Sequence, residues 1–338
     1  MVLNVLARVP KRYYPILCCV SKKMRSLVRS PEIQETRSLL EKDSLYICFM
    51  DETYRPLYDY WYALRRTENS TTENRFDSID DFSYPPEPFH YSHMIVVGPE
   101  IFFVPGSHTP SSSLWILDTR TEELRQGPSL LVKRRYNSVG LVGGKIYVIG
   151  GCEDGEIPAE RFDLKTQTWE AAPTPDEKDY CVWIYGAKVT LDRKVYALST
   201  CEGIASYDTR DGSCQRSEML SDEWLAKGTC VIDNVLYVYF SRFGLMWYDS
   251  QLMLWRVVYG LDLGKPHGVA MAEYYGKLAF LWEEEPSLVS SESKEIWCRM
   301  IVLLRSGDVG IHGTSESSQL LGTVHHGHEM YKCLSLSG

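Results

Sequence analysis

The sequence contains no Cys-x-x-C pair, no G-x-S-x-G elbow, no Walker loop and no H-E-x-x-H helix. The common signatures of zinc sites, serine hydrolases, phosphate-binding loops and metalloproteases are therefore absent. It also lacks any apolar run long enough for a bilayer: the longest, residues 13–20 and 235–240, fall far short of the roughly 20 residues that a spanning helix needs. Arg8, Lys11 and Arg12 interrupt the stretch that would have to be the apolar region of a signal peptide, which points to the cytosol or nucleus and to reduced thiols for the ten cysteines. Basic residues are in deficit, 36 against 45 acidic for a formal charge of -9. That excludes a general attraction for nucleic-acid backbones or anionic membranes. His325, His326 and His328 sit close in sequence with no cysteine or carboxylate set at ligand spacing, so no metal and no cofactor is expected.

What is present is ordinary globular material: 338 residues with 44% apolar and 12% aromatic types, enough for two domains or one large repeat-built one. The charge is unevenly placed. Residues 1–42 hold nine Lys/Arg against Glu32, Glu35 and Glu41, a local charge of +6 that leaves -15 for the remainder. Such asymmetry reads either as a partner-binding module attached to a separate body or as a solvated basic face.

The basic segment has helical texture. Val2, Leu3, Val5, Leu6 and Val9 fit one face and Pro10 stops it; Ile16, Leu17, Val20, Met24, Leu27 and Val28 then recur at three- and four-residue spacing up to Pro31. About 34 residues cannot bury that many aliphatics alone, since units below roughly 40 residues need a partner surface or a covalent staple. The helices therefore pack on a partner or on the following domain. The blocks Leu3-Asn4-Val5-Leu6-Ala7-Arg8-Val9-Pro10, Val20-Ser21-Lys22-Lys23-Met24-Arg25-Ser26-Leu27 and Ser30-Pro31 resemble the F-box, a helical module that docks on Skp-type adaptors of cullin ubiquitin ligases. The family pattern starts with a Leu-Pro-Asp/Glu stretch upstream of this point, whereas this chain opens at Met1 inside the first helix, which implies a shortened F-box. The resemblance assigns adaptor binding to Val2, Leu3, Leu6, Pro10, Leu17, Val20, Ser21, Met24 and Leu27.

The rest of the chain repeats. Leu117-Asp118-Thr119, Phe162-Asp163-Leu164, Tyr207-Asp208-Thr209 and Tyr248-Asp249-Ser250 place an aspartate at intervals of 45, 45 and 41 residues, and six positions after each stand Leu124, Trp169, Cys214 and Trp255. Before each aspartate lies a four-residue aromatic and aliphatic run, at 101–104, 146–149, 195–198 and 236–239, with a fifth at 278–281. Each unit reads as four short strands. The aspartate is expected to cap the turn between strands three and four, and the Trp positions to fill space between units. Residues 67–91 read as a long polar loop, and Glu283-Glu284-Glu285 with the serines that follow as an exposed acidic one.

The period and order of these features are similar to kelch repeats, and the whole resembles the plant F-box/kelch-repeat proteins. The double glycine of the family stands only at Gly150-Gly151, where positive φ is expected. A WD40 propeller, the rival, would show Trp-Asp dipeptides that are missing here. The implied fold is all-β: an F-box-like helical module at 1–42 and a kelch-type β-propeller at 43–338, with the strands near 45–49 and 61–64 joined by one from 331–336 to complete a sixth blade. The implied function is that of a non-catalytic substrate receptor whose partners are a Skp-type adaptor and a target protein. A propeller-fold enzyme with a helical appendage is the alternative, because the fold alone does not fix chemistry. In such blades the loops after strands two and four share one face, and the substrate is expected there. The residues singled out are Arg134, Arg135, Tyr136, Tyr180, Trp224, Lys227, Arg242 and His267.

Overall fold

The computed structural model describes residues 2–7, 9, 14–28, 30, 32–33, 36, 43–51, 58–66, 74–79, 93–119, 123–152, 157–174, 187–199, 203–217, 226–284, 292–306 and 310–337. The helical head has three short helices, α1 (Val2–Leu6), α2 (Tyr14–Val20) and α3 (Lys22–Val28). The single periodic run of the sequence is divided at Ser21, whose hydroxyl accepts from the backbone N–H of Met24 at 3.0 Å. A serine at that place caps the new helix and satisfies one of its orphan donors. Leu6, Ala7, Val28 and Ile33 are buried together, with Leu3, Leu17, Cys18, Met24 and Leu27 packed against them. The head thus has a small core of its own, which corrects the expectation that so short a segment could form none.

The remaining chain is almost wholly β and forms the six blades of a β-propeller, each sheet antiparallel. It falls into two compact units. The first unit carries the head and two blades. One blade joins β1 (Asp43–Asp51), β2 (Tyr58–Arg66) and β3 (Asn74–Ile79) to the terminal strand β25 (His328–Ser337), in the order β25-β1-β2-β3. The expected mixed blade is present, with β1 and β25 paired from Asp43↔Ser337 to Asp51↔His328. β3 corrects the reading of 67–91 as loop: Phe76 stacks on Tyr62 at 4.7 Å, so a polar stretch with one aromatic in the right register still forms an outer strand.

The unit's other blade holds β20 (His267–Tyr274), β21 (Lys277–Glu284), β22 (Ser293–Ser306) and β23 (Gly310–Ser315), and the first half of the long β22 also pairs with β24 (Gln319–His325). Glu283 and Glu284 thus belong to a strand, not to a solvated loop.

The second unit has four blades of four strands. They are β4 (His93–Val97), β5 (Glu100–Val104), β6 (Trp115–Asp118) and β7 (Glu123–Gln126); β8 (Ser138–Val142), β9 (Lys145–Ile149), β10 (Ala159–Asp163) and β11 (Thr168–Ala171); β12 (Ala187–Leu191), β13 (Lys194–Ser199), β14 (Gly203–Asp208) and β15 (Cys214–Ser217); and β16 (Ala226–Ile232), β17 (Val235–Phe240), β18 (Gly244–Asp249) and β19 (Leu254–Val257). Every repeated aspartate closes a third strand. The Asp163 carboxylate accepts from the N–H of Lys165 at 2.8 Å and of Thr166 at 3.3 Å; Asp249 does the same for Gln251 and Leu252, each at 3.2 Å. The six-residue spacing to Leu124, Trp169, Cys214 and Trp255 is a register effect, because each faces the residue just before its aspartate, as in Phe162↔Trp169 and Tyr248↔Trp255. Trp169 packs on a core shared by the β4–β7 and β8–β11 blades and donates its ring N–H to the carbonyl of Pro128 at 2.8 Å.

Candidate functional site

Four aliphatic side chains of the head stand in solvent. Val2, Val5, Ile16 and Val20 are 52%, 61%, 63% and 65% exposed, and covering the exposed half of each is worth about 1 kcal/mol apiece at about 25 cal/mol per Å2. Lys22, Lys23 and Arg25 are exposed beside them. Of the nine residues the sequence assigned to adaptor docking, Val2 and Val20 are among these four. Leu6 is a correction: it is 4% exposed and builds the head's interior, where Leu3, Leu17, Met24 and Leu27 also pack. Ser21 acts as the helix cap, and Pro10 lies outside the described residues. Val5 and Ile16 were not singled out, although they share the apolar spacing that marked their neighbours.

In the second unit the loop between β7 and β8 is built around Arg134. This is a second correction, since an arginine expected on the surface is 0% exposed. Its Nε donates to Glu160 Oε1 at 2.6 Å, in an ion pair whose side chains are both 0% exposed. Its Nη1 donates to the Gly150 carbonyl at 2.6 Å and more weakly to that of Pro158 at 3.3 Å, and Nη2 to that of Ile157 at 2.7 Å. The second oxygen of Glu160 accepts from the N–H of Leu131 at 2.6 Å. Only a planar, forked cation matches such a set of acceptors.

The backbone is tied in as well. Arg135 N–H donates to the Gly151 carbonyl at 2.8 Å, Tyr136 N–H to that of Gly106 at 3.1 Å, and Asn137 Nδ2 to that of Pro105 at 2.6 Å. Gly150 and Gly151 have φ of +72° and +74°, as expected of that pair. A Cβ on Gly151 would lie 2.0 Å from the Arg135 carbonyl oxygen. The effect is a fixed loop in which Leu131, Lys133, Arg135 and Tyr136 are exposed while Arg134 and Asn137 are buried.

Of the other residues singled out, Lys227, in the same unit at the start of β16, is exposed, as is Arg242 in the turn after β17, where its guanidinium lies 5.9 Å from the Phe243 ring centre. His267 is exposed at the start of β20 in the first unit. Tyr180 and Trp224 lie outside the described residues.

The first unit has a polar cluster that the sequence did not reveal. Glu283 accepts from Lys294 Nζ at 2.7 Å and from the Met330 N–H at 2.5 Å, and the Lys294 and Glu283 side chains are 6% and 11% exposed. His328 lies 3.7 Å from the buried Asp51 carboxylate and stacks on Tyr60 at 4.0 Å. Burial lowers the His328 pKa, against the opposing pull of Asp51. On neighbouring strand positions, burial pushes Asp59 up to about 6 and Lys332 down to about 8. Among the described residues no group of three or more His, Cys, Asp or Glu is placed to hold a metal. No described helix is long and apolar enough to cross a membrane.

Comparison with known proteins gives two family matches, the F-box domain over residues 1–36 and the FKB95 Kelch-repeats domain over residues 61–321. F-box/kelch-repeat protein At2g44700 of Arabidopsis thaliana is 70% identical over 334 residues, which cover 99% of this chain and 90% of that protein. F-box/kelch-repeat protein At2g44630 of the same plant is 61% identical over 348 residues, covering 100% and 92%. The putative F-box/kelch-repeat protein At4g02310, also from Arabidopsis thaliana, is 43% identical over 331 residues, covering 95% and 89%.

Proposed function

The chain belongs to the F-box/kelch-repeat family, and from that premise we propose that it is the substrate-recognition subunit of a cullin-RING, SCF-type ubiquitin ligase. The head, residues 1–42, docks on a Skp-type adaptor, and the propeller, residues 43–338, holds the protein to be ubiquitinated. It works in the cytosol or nucleus as an adaptor, without catalytic chemistry of its own. The observation that carries this reading is the exposure of four aliphatic side chains, Val2, Val5, Ile16 and Val20, on the very segment that matches the F-box model. A short helical head with a filled interior has no folding reason to keep four β-branched side chains in water, and a covered interface would stabilise them.

Target capture is assigned to the propeller loops that follow strands two and four, with Arg135, Tyr136, Lys227 and Arg242 of the second unit as contact residues. Co-expression with a Skp-type adaptor and affinity capture of the chain tests the first half. The native chain is expected to retain the adaptor, Val5→Asp with Val20→Asp to lose it, and Leu252→Asp, a change at an exposed apolar residue of the propeller, to retain it. Failure of the native chain to bind, or equal retention by the head variant, would overturn the reading.

A further inference from the structure

One loop of the second unit is shaped for more than connection. Tyr136 has a φ of +50°, a conformation that bulky side chains avoid. Every other described non-glycine residue with positive φ, from Gln167 to Tyr275, sits in a hairpin turn that requires it. Tyr136 is in the β7–β8 loop, where no tight turn demands it, and its strained backbone is held by the N–H bond to Gly106 and by the buried Arg134 and Glu160 beside it. Strain that the surroundings over-determine points from geometry to use. What the loop presents is a tyrosine, 38% exposed, and a leucine, Leu131, 46% exposed, with Lys133 and Arg135 exposed between them. Among the described residues no carboxylate is ion-paired with Lys133 or Arg135. Two such cations stand out on a body whose formal charge is -15 outside residues 1–42.

We propose that the 131–136 loop recognises an acidic, extended segment of the target protein that carries an apolar side chain, Lys133 and Arg135 pairing with its carboxylates while Tyr136 and Leu131 cover the apolar group. This deepens the substrate-receptor reading and rests on it. A rigid aromatic next to an arginine, fixed before the partner arrives, is the composition of an interface hot spot, and the ordering cost of binding is reduced. Opposite charge on the partner adds speed and selectivity of encounter.

The test uses the full chain in complex with the adaptor and a phage-displayed library of random 12-residue peptides as probe. Enriched sequences are expected to combine Asp/Glu with an aromatic or aliphatic residue. A synthetic peptide of the leading sequence, followed by fluorescence anisotropy, should bind Lys133→Glu/Arg135→Glu and Tyr136→Gly about thirty-fold more weakly, the loss typical of a hot-spot side chain. Glycine takes positive φ freely, so Tyr136→Gly keeps the fold, checked by an unchanged circular-dichroism spectrum. Glu153, Asp154 and Glu156 follow Gly151 in the sequence and lie outside the described residues; their neutralisation to Gln, Asn and Gln should leave binding equal or tighter. Enrichment of basic or uncharged peptides, no enrichment at all, native-like binding by either loop variant, or loss of binding on neutralising the acidic residues each overturns the proposal. Adaptor capture in the same samples reports separately on the substrate-receptor reading.

Discussion

Replacing Arg134 by leucine removes a cation with no exposure and leaves Glu160, also without exposure, as an unpaired buried carboxylate. Breaking a buried ion pair from one side costs about 3 to 5 kcal/mol, because the remaining charge keeps its desolvation penalty and loses its compensation. Three carbonyls, those of Gly150, Ile157 and Pro158, lose a donor in the same step, each worth about 1 kcal/mol but overlapping with the first loss. A total of about 4 kcal/mol is expected, a large part of the roughly 5 to 15 kcal/mol that holds an ordinary domain. The change is measured by urea unfolding of the native chain, Arg134→Leu, Glu160→Leu and the double variant, followed by tryptophan fluorescence. The double variant carries no uncompensated charge and should lose clearly less than the sum of the single ones, so the two effects are strongly non-additive. A loss below about 1 kcal/mol for Arg134→Leu, the value of an exposed pair, or simple additivity would refute the assignment of Arg134 as an internal staple.

Gly151→Ala should be among the most damaging small changes in the chain. Its Cβ would lie 2.0 Å from a backbone oxygen at a φ of +74°, and a melting temperature within one degree of native would show that the loop moves aside at no cost. Asp59→Asn should stabilise the protein at neutral pH, since burial holds the carboxyl at about 6 and its ionisation opposes folding by up to about 3 kcal/mol relative to an ordinary aspartate. Well below the unfolded value of 3.8 the group is protonated both folded and unfolded, so the gap between native and variant should be absent there, grow as pH rises from about 4 to 6, and stay level above 6; a gap independent of pH contradicts this origin. Asp163→Ala should lower the urea midpoint slightly through loss of the two turn N–H bonds and of the contact with Lys145 at 3.0 Å, and no change would mean that water replaces the carboxylate fully.

The blade plan was legible in the sequence because its signals are local. A strand run, an aspartate at the turn and an aromatic six residues on all follow from a single hairpin register, and the terminal strands announced the mixed blade by leaving two orphan pieces. β3 was not legible because its pairing with β2, from Trp61↔Ile79 to Arg66↔Asn74, runs through a mostly polar stretch in which Phe76 packs on Tyr62. Glu283 read as solvated from its neighbours Glu284 and Glu285, yet its partners Lys294 and Met330 are 11 and 47 residues away, a distance at which sequence pattern is silent. Arg134 shows the same limit. Two adjacent arginines look alike in sequence, and the alternation of a strand-like loop sends one to the surface and the other to Glu160, 26 residues on.

If exposed aliphatic residues of the head carry the adaptor, isothermal titration of the full chain with a purified Skp-type adaptor at several temperatures will show it. Burial of Val2, Val5, Ile16 and Val20 predicts a negative heat-capacity change on binding and an affinity that changes little with salt. Ile16→Asp should abolish the heat of binding while leaving the unfolding of the propeller unchanged. No binding by the native chain, or binding with a heat-capacity change near zero that Ile16→Asp leaves intact, would contradict the claim.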